Sequence, residues 1–200
     1  MRNILKLLVC FLVVPALLCP VKLFAAGEAM PIDTIKLTVD EVVKVVESLP
    51  GDANGKARRA KIKTVLEPRF DFIEMAKRSL GANWNTISKA QQDEFTTAFS
   101  KLLSNTYVGR IENVKRDMVN VKTESVDGEK SIVKTDVTHK GDTFPIDYRL
   151  MNRNNTWLVY DVVIENISLV ANYRNEFAGI MRREKFEGLM SKITTKNKGE

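Results

Sequence analysis

Few side chains in this 200-residue sequence are equipped for covalent or acid–base chemistry. There is one histidine, His139, beside Lys140-Gly141, where a solvated turn position is expected. A lone histidine does not build the multi-histidine sites that zinc favours. Both cysteines, Cys10 and Cys19, lie near the N-terminus. The sequence has no G-x-S-x-G elbow and no Gly-rich phosphate loop. The neighbouring acids Asp40-Glu41 and Asp93-Glu94 fall in helical stretches, where adjacent residues point apart, so they read as surface charges. An acid–base pair assembled across the fold stays open at this point. Asp161 is the one charge inside the apolar run Trp157 to Ile164. What remains is non-covalent chemistry: abundant apolar surface with isolated charges at its margins.

The first segment sets the compartment. Arg2 and Lys6 precede an apolar stretch from Leu7 to Leu18, and Leu23-Phe24-Ala25-Ala26-Gly27 offers small residues at a cleavage point. This is the pattern of a secretory signal peptide, residues 1–26, followed by a single domain, residues 27–200. The apolar run is shorter than the ~20 residues a membrane-spanning helix takes. Leu18, not a small residue, precedes Cys19, which argues against a lipoprotein signal. Cleavage removes Arg2, Lys6 and Lys22 and no acid, so the net charge falls from +6 by three. That mild balance does not argue for nucleic acid, which takes a dense basic patch. No cysteine remains after cleavage, so the exported domain must hold by packing alone.

The first half of the domain is patterned for helices. Gly27 to Thr34 reads as a linker. Val39, Val42, Val43 and Val46 share one helical face, and Leu49-Pro50-Gly51 stops that helix. Lys56 to Glu67 turns Ile62, Val65 and Leu66 inward, with Lys56, Arg58, Arg59, Lys61 and Lys63 mostly outward. Asp71 with Glu74 three residues on, flanked by Phe70 and Met75, predicts a capped helix that Gly81 closes. Ser88 with Gln91 predicts a second capping box, opening the longest helix with Phe95, Phe99, Leu102, Leu103 and Tyr107 on one face and Ile111 near its end.

At Met118 the period changes from helical spacing to two. Val119, Val121 and Thr123 alternate with Asn120 and Lys122, and Asp127-Gly128 is a hairpin turn. Strands are expected from Lys130 to His139, around Phe144 to Leu150, and from Trp157 to Ile164, giving an antiparallel meander of four strands. Two helices close the chain, Ser168 to about Arg183 and Phe186 to Ile193, with a polar tail from Thr194. The fold class is α+β, helices packed on an antiparallel sheet. By simple alternation the last strand sends Trp157, Val159 and Val163 to one face and Leu158, Tyr160, Val162 and Ile164 to the other. A strand apolar on both sides fits packing between two layers, and it equally fits one face lining an internal apolar pocket. Pattern alone does not separate these.

Several segments taken together resemble the MlaC family, auxiliary components of ABC transporters linked to toluene tolerance. They are Leu66-Glu67-Pro68-Arg69-Phe70-Asp71-Phe72, Met75-Ala76, Leu80-Gly81 with Trp84, Gln91-Gln92, Phe95, Phe99, Leu102-Leu103 and Thr106-Tyr107. Further on come Asp147-Tyr148-Arg149-Leu150, Trp157-Leu158-Val159-Tyr160-Asp161-Val162, Ile167-Ser168-Leu169-Val170 and Asn172-Tyr173-Arg174. They run in family order over nearly the whole domain. One departure is Asn166, where a glycine commonly follows the glutamate.

The resemblance implies an NTF2-like sheet embraced by N-terminal and C-terminal helices, with an apolar pocket between them for phospholipid acyl chains. It implies a periplasmic carrier, not an enzyme, with phospholipid as cargo and no cofactor. The implied partners are an inner-membrane MCE-domain subunit of an ABC transporter and an outer-membrane lipoprotein–porin complex, and the implied role is maintenance of outer-membrane lipid asymmetry. A periplasmic adaptor or chaperone without a small ligand, and an NTF2-like enzyme using His139 or Asp161, are the competing readings. On the carrier reading the tail-lining candidates are Val121, Val133, Val137, Ile146, Tyr148, Leu150, Trp157 and Val159 on the sheet, Tyr107 and Ile111 on the long helix, and Val170, Tyr173 and Phe177 on the next. Each is as well suited to ordinary core packing. Arg149 is the candidate for a head-group phosphate, and Arg174 a weaker one.

Overall fold

The computed structural model of the chain describes residues 30–199; the predicted signal peptide lies outside them. Helix α1, Pro31–Ser48, begins inside the stretch expected to be a linker. Pro31 suits a first helical position, where its missing N–H would have had no partner in any case. Thr34 and Ile35 are already buried there, so the helix starts where packing starts.

Helix α2, Gly55–Leu66, follows a short 3-10 turn. Arg58, expected to face outward, is buried at 6%. Its guanidinium donates to the Leu49 and Gly51 carbonyls at 2.8 and 3.0 Å and pairs with Glu112. Carbonyls at a helix end lack intrahelical donors, and this arginine supplies them.

Helix α3, Phe72–Leu80, is capped by Asp71, whose Oδ1 accepts from the Glu74 amide at 2.9 Å. The reciprocal half of the expected box is missing, because the Glu74 carboxylate accepts from Arg78 and Arg153 instead. Gly81 ends the helix at φ 56°. Helix α4, Lys89–Ile111, opens with both halves of the Ser88–Gln91 box formed. The chain then forms five strands, β1 Val119–Asp127, β2 Lys130–His139, β3 Asp142–Arg153, β4 Thr156–Ile164 and β5 Ile167–Ser168, one more than the pattern predicts. The extra strand is two residues long, too short for an alternation to register in sequence.

Helix α5, Leu169–Lys198, combines the two expected closing helices across a kink at Lys185 (φ 59°) and takes in most of the polar tail from Thr194. The sheet is an antiparallel meander in the order β1-β2-β3-β4-β5. Helices α3, α4 and α5 form their own core around Phe95, Phe99, Leu102, Tyr173, Phe177 and Leu189. In it Phe99 stands edge-on to Phe177 and Tyr173 at 5.5 and 5.1 Å. Helix α1 instead lies on β1 and β2 and packs Ile35 into the sheet.

Candidate functional site

The side chains of one sheet face are set by the ladder, because directly paired residues in adjacent strands point to the same side. On the face turned to α1, the inner face, pairing joins Val121, Thr135, Ile146 and Ile164 in one row. Glu124, Val133, Tyr148 and Val162 make the next, and Val126, Ser131, Leu150 and Val159 the third. Val137 and Phe144 pair at one end, and Trp157 pairs with Asn152 at the other. The eight sheet residues proposed from sequence to line a pocket (Val121, Val133, Val137, Ile146, Tyr148, Leu150, Trp157 and Val159) therefore share one face.

Two β-bulges create this face. In β1 the register shifts between Val121 and Thr123, so Glu124, not Thr123, follows Val121 inward. In β4 the register shifts at Tyr160, which has no partner of its own: Val159 pairs with Leu150, Asp161 with Arg149, and Val162 with Tyr148. A bulge adds one residue to one strand and reverses the parity beyond it. This overturns the simple alternation expected for β4. Val162 and Ile164 join Trp157 and Val159 on the inner face, while Val163 goes with Asp161 to the other. Phe144, Val162 and Ile164 are inner-face residues that the list of candidates missed.

The inner face is unevenly covered. Ile35 packs with Val133, Leu150, Trp157 and Val159, and Ile32, Val39 and Phe70 close over the same cluster. Glu124 supports this cover: its Oε2 accepts from the Ile32 amide at 2.8 Å at the start of α1. Toward the other end of β3 and β4, beyond Leu150 and Val159, Phe144, Ile146, Tyr148, Val162 and Ile164 stay half-buried, with Tyr148 and Val162 still packed against that cluster. Tyr148 packs against the Ile35 cluster, and this burial pushes its phenol above the ordinary value. Beside Ile164 lies a depression of about 170 Å³ lined by Tyr107, Ile164, Glu165, Ile167, Leu169 and Asn172. Desolvation also raises the Tyr107 phenol, with the Arg110 guanidinium acting in the opposite sense.

The helix candidates are not gathered onto this face. Of them, Tyr107 alone lines the depression. Ile111 packs with Val42, Ile62 and Val108 between α1, α2 and α4. Val170, Tyr173 and Phe177 belong to the helical core. Arg149 points to the opposite face of the sheet, where its guanidinium meets Asp161 Oδ2 at 3.1 Å. Asp161 also accepts from Ser168 Oγ at 2.7 Å and the Val170 amide at 3.1 Å, which anchors the start of α5. Arg174 lays its methylenes over Gly81. His139 is exposed at the end of β2. Among the described residues no group of three or more His, Cys, Asp or Glu side chains is placed to hold a metal ion, and no helix is long and apolar enough to cross a membrane.

An antiparallel meander with a largely apolar inner face, partly covered by an N-terminal helix and flanked by a separate helical core, defines the class: an α+β protein built around a single sheet. The model of the MlaC protein family matches residues 36–195, and the chain belongs to the MlaC family. One relative is the intermembrane phospholipid transport system binding protein MlaC of Haemophilus influenzae, 20% identical over 141 residues. The match covers 68% of this chain and 66% of that protein, just under two thirds of the relative's length. A solved structure of a phospholipid-binding protein from Ralstonia solanacearum, in complex with a phospholipid, matches with a TM-score of 0.75 at 27% identity. That match covers 86% of this chain and 98% of the other.

Proposed function

We propose that this protein is a periplasmic carrier of phospholipid that holds the acyl chains against the inner face of the sheet. The observation that carries the reading is the half-covered inner face itself: paired rows rich in Val, Ile, Leu and Tyr side chains, closed by α1 around Val133, Leu150, Trp157 and Val159 and left half-buried at Phe144, Ile146, Tyr148, Val162 and Ile164. Family membership, and the phospholipid named for both relatives, support it.

The chemistry asked of such a carrier is desolvation. At ~0.8 kcal/mol per methylene, roughly 30 methylenes in two tails bring a cost on the order of 20 kcal/mol for passage through water. An apolar protein surface removes most of it without a covalent step or a cofactor. Ligand pockets run to roughly 300–1,000 Å³, so the depression of about 170 Å³ is too small for two tails. Loading therefore calls for a wider opening of the inner face, and α1, whose Ile32, Ile35 and Val39 cover Val133, Leu150 and Val159, is the element proposed to move. Residues 1–26 act as the export signal and 27–200 as the carrier domain. Exchange is with an outer-membrane lipoprotein–porin complex and with the MCE-domain subunit of an inner-membrane ABC transporter, which consumes the ATP, and the outcome is maintained outer-membrane lipid asymmetry.

The small depression also favours a second reading, a periplasmic adaptor without a small ligand. One experiment separates the two. The exported protein is purified, and native and denaturing mass spectrometry are combined with lipid extraction. Stoichiometric phospholipid is expected. A reproducibly empty protein that also takes no lipid from vesicles would sink the carrier and leave the adaptor.

A further inference from the structure

Two exposed charges without ion-pair partners lie at the depression beside Ile164: Glu165 lines it, and Arg110 sits next to Tyr107, which also lines it. Arg110 lies one helical turn beyond Tyr107, its guanidinium carbon 5.7 Å from the centre of the Tyr107 ring. Among the described residues it pairs with no carboxylate, whereas the nearby Arg59 and Arg116 are engaged by Glu112 and Asp40. Glu165 lines the same depression as Tyr107, and among the described residues its carboxylate has neither an ion pair nor a hydrogen bond. It is held in a tight turn: Glu165 and Asn166 both have positive φ, 49° and 67°, and the Glu165 amide donates to the Pro145 carbonyl at 3.0 Å. The turn joins β4 to β5 and fixes the backbone from which the Glu165 side chain extends.

We infer that Arg110 and Glu165 form a head-group site for a zwitterionic aminophospholipid. The Arg110 guanidinium takes the phosphate oxygens and the Glu165 carboxylate takes the ammonium, with Tyr107 and Ile164 beneath the glycerol. The inference rests on the carrier reading above and makes it more specific. A phosphate diester offers charged acceptors that suit a guanidinium. The ammonium is what a second, opposite charge at the same mouth would recognise. Asn172, on the same rim, adds an uncharged donor. Arg149, tied to Asp161 on the far face, is not in position to serve this role.

The test uses the exported protein and vesicles of equal parts phosphatidylethanolamine and phosphatidylglycerol, with extracted lipid read by mass spectrometry. Wild type should favour phosphatidylethanolamine by roughly two- to fivefold, the factor an exposed ion pair supports. Glu165→Gln should bring the ratio to about one, and Glu165→Lys should tilt it toward phosphatidylglycerol. Arg110→Gln should lower uptake of both lipids while keeping the direction of preference. Both residues are exposed, so thermal unfolding midpoints should not move. A wild-type ratio of one, or a ratio unchanged by both Glu165 substitutions, overturns the head-group site while leaving the carrier intact. Failure of wild type to take either lipid would instead be a failure of the carrier reading.

Discussion

Arg149 and Asp161 face each other across the bulged pairing of β3 and β4, with Arg149 Nη1 3.1 Å from Asp161 Oδ2. The pair is unequal. The Asp161 side chain is 5% exposed and the Arg149 side chain 41%. The buried partner carries two further bonds, from Ser168 Oγ and the Val170 amide. Asp161→Ala would strand those donors, and buried donors without acceptors cost on the order of 2–3 kcal/mol together. Arg149→Ala removes one screened, half-solvated partner and should cost below about 1 kcal/mol. Denaturant midpoints of the two variants check this; equal losses would show that the ion pair, not the anchoring of α5, is what matters.

Filling the open part of the inner face should block loading without unfolding the protein. Ile146→Trp adds bulk beside the half-buried Tyr148 and Ile164, an overpacking that should cost about 1–3 kcal/mol, while bound lipid falls severalfold. Phe177→Ala should do the reverse. Phe177 is 1% exposed in the helical core, and such truncations cost about 3–5 kcal/mol, with lipid per folded molecule unchanged. Should Phe177→Ala empty the protein selectively, the helical core would have to be counted as part of the lipid site.

The cover over the sheet hangs partly on Glu124. Its carboxylate meets the Ile32 amide at the start of α1, where a negative charge also opposes the positive end of the helix dipole. Glu124→Ala should cost about 1 kcal/mol, as loss of a helix cap does. Amide exchange from Ile32 to Val39 should then speed up, and so should transfer of lipid to and from vesicles. Faster amide exchange with unaltered transfer would mean that α1 is not the element that opens.

Tyr148 gives the face a pH dependence. Burial raises its phenol above the ordinary value near 10. Below that value both folded and unfolded chains hold the proton. Above it the unfolded chain releases the proton first, so stability is lost as pH climbs from about 10 toward the folded-state value. Wild type should lose stability relative to Tyr148→Phe across this window, measured by denaturant midpoints from pH 8 to 11. Parallel curves would mean that the phenol is as well solvated in the fold as out of it.

The helices and the hairpins could be read from residue spacing because each rests on a local rule. Ser88 and Gln91 make their cap within four residues, and Asp127-Gly128 makes its turn within two. The membership of the inner face was legible up to each bulge and no further. Nothing in Trp157-Leu158-Val159-Tyr160-Asp161-Val162 announces that Tyr160 will go unpaired, because all but Asp161 are suited to either side. The cause is tertiary: Asp161 is drawn outward by the start of α5 and by Arg149, and the Arg78 guanidinium lies 4.4 Å from the Tyr160 ring. Arg58 escaped for a similar reason, since its acceptors are carbonyls of a preceding loop. The placement of Arg149 depended on knowing which side of β3 faces α1.

The extra residue at Tyr160 also makes the length of β4 a matter of geometry. Removing Tyr160 would leave a regular ladder in which Val159 still pairs with Leu150 and Asp161 with Arg149. Removing Leu158 or Val159 instead would bring Tyr160 opposite Leu150, onto the face turned to α1. Deletion of Tyr160 should therefore be better tolerated than deletion of either neighbour. Among proteins that share this sheet, a strand one residue shorter between the tryptophan and the aspartate should lack the tyrosine and keep the valine.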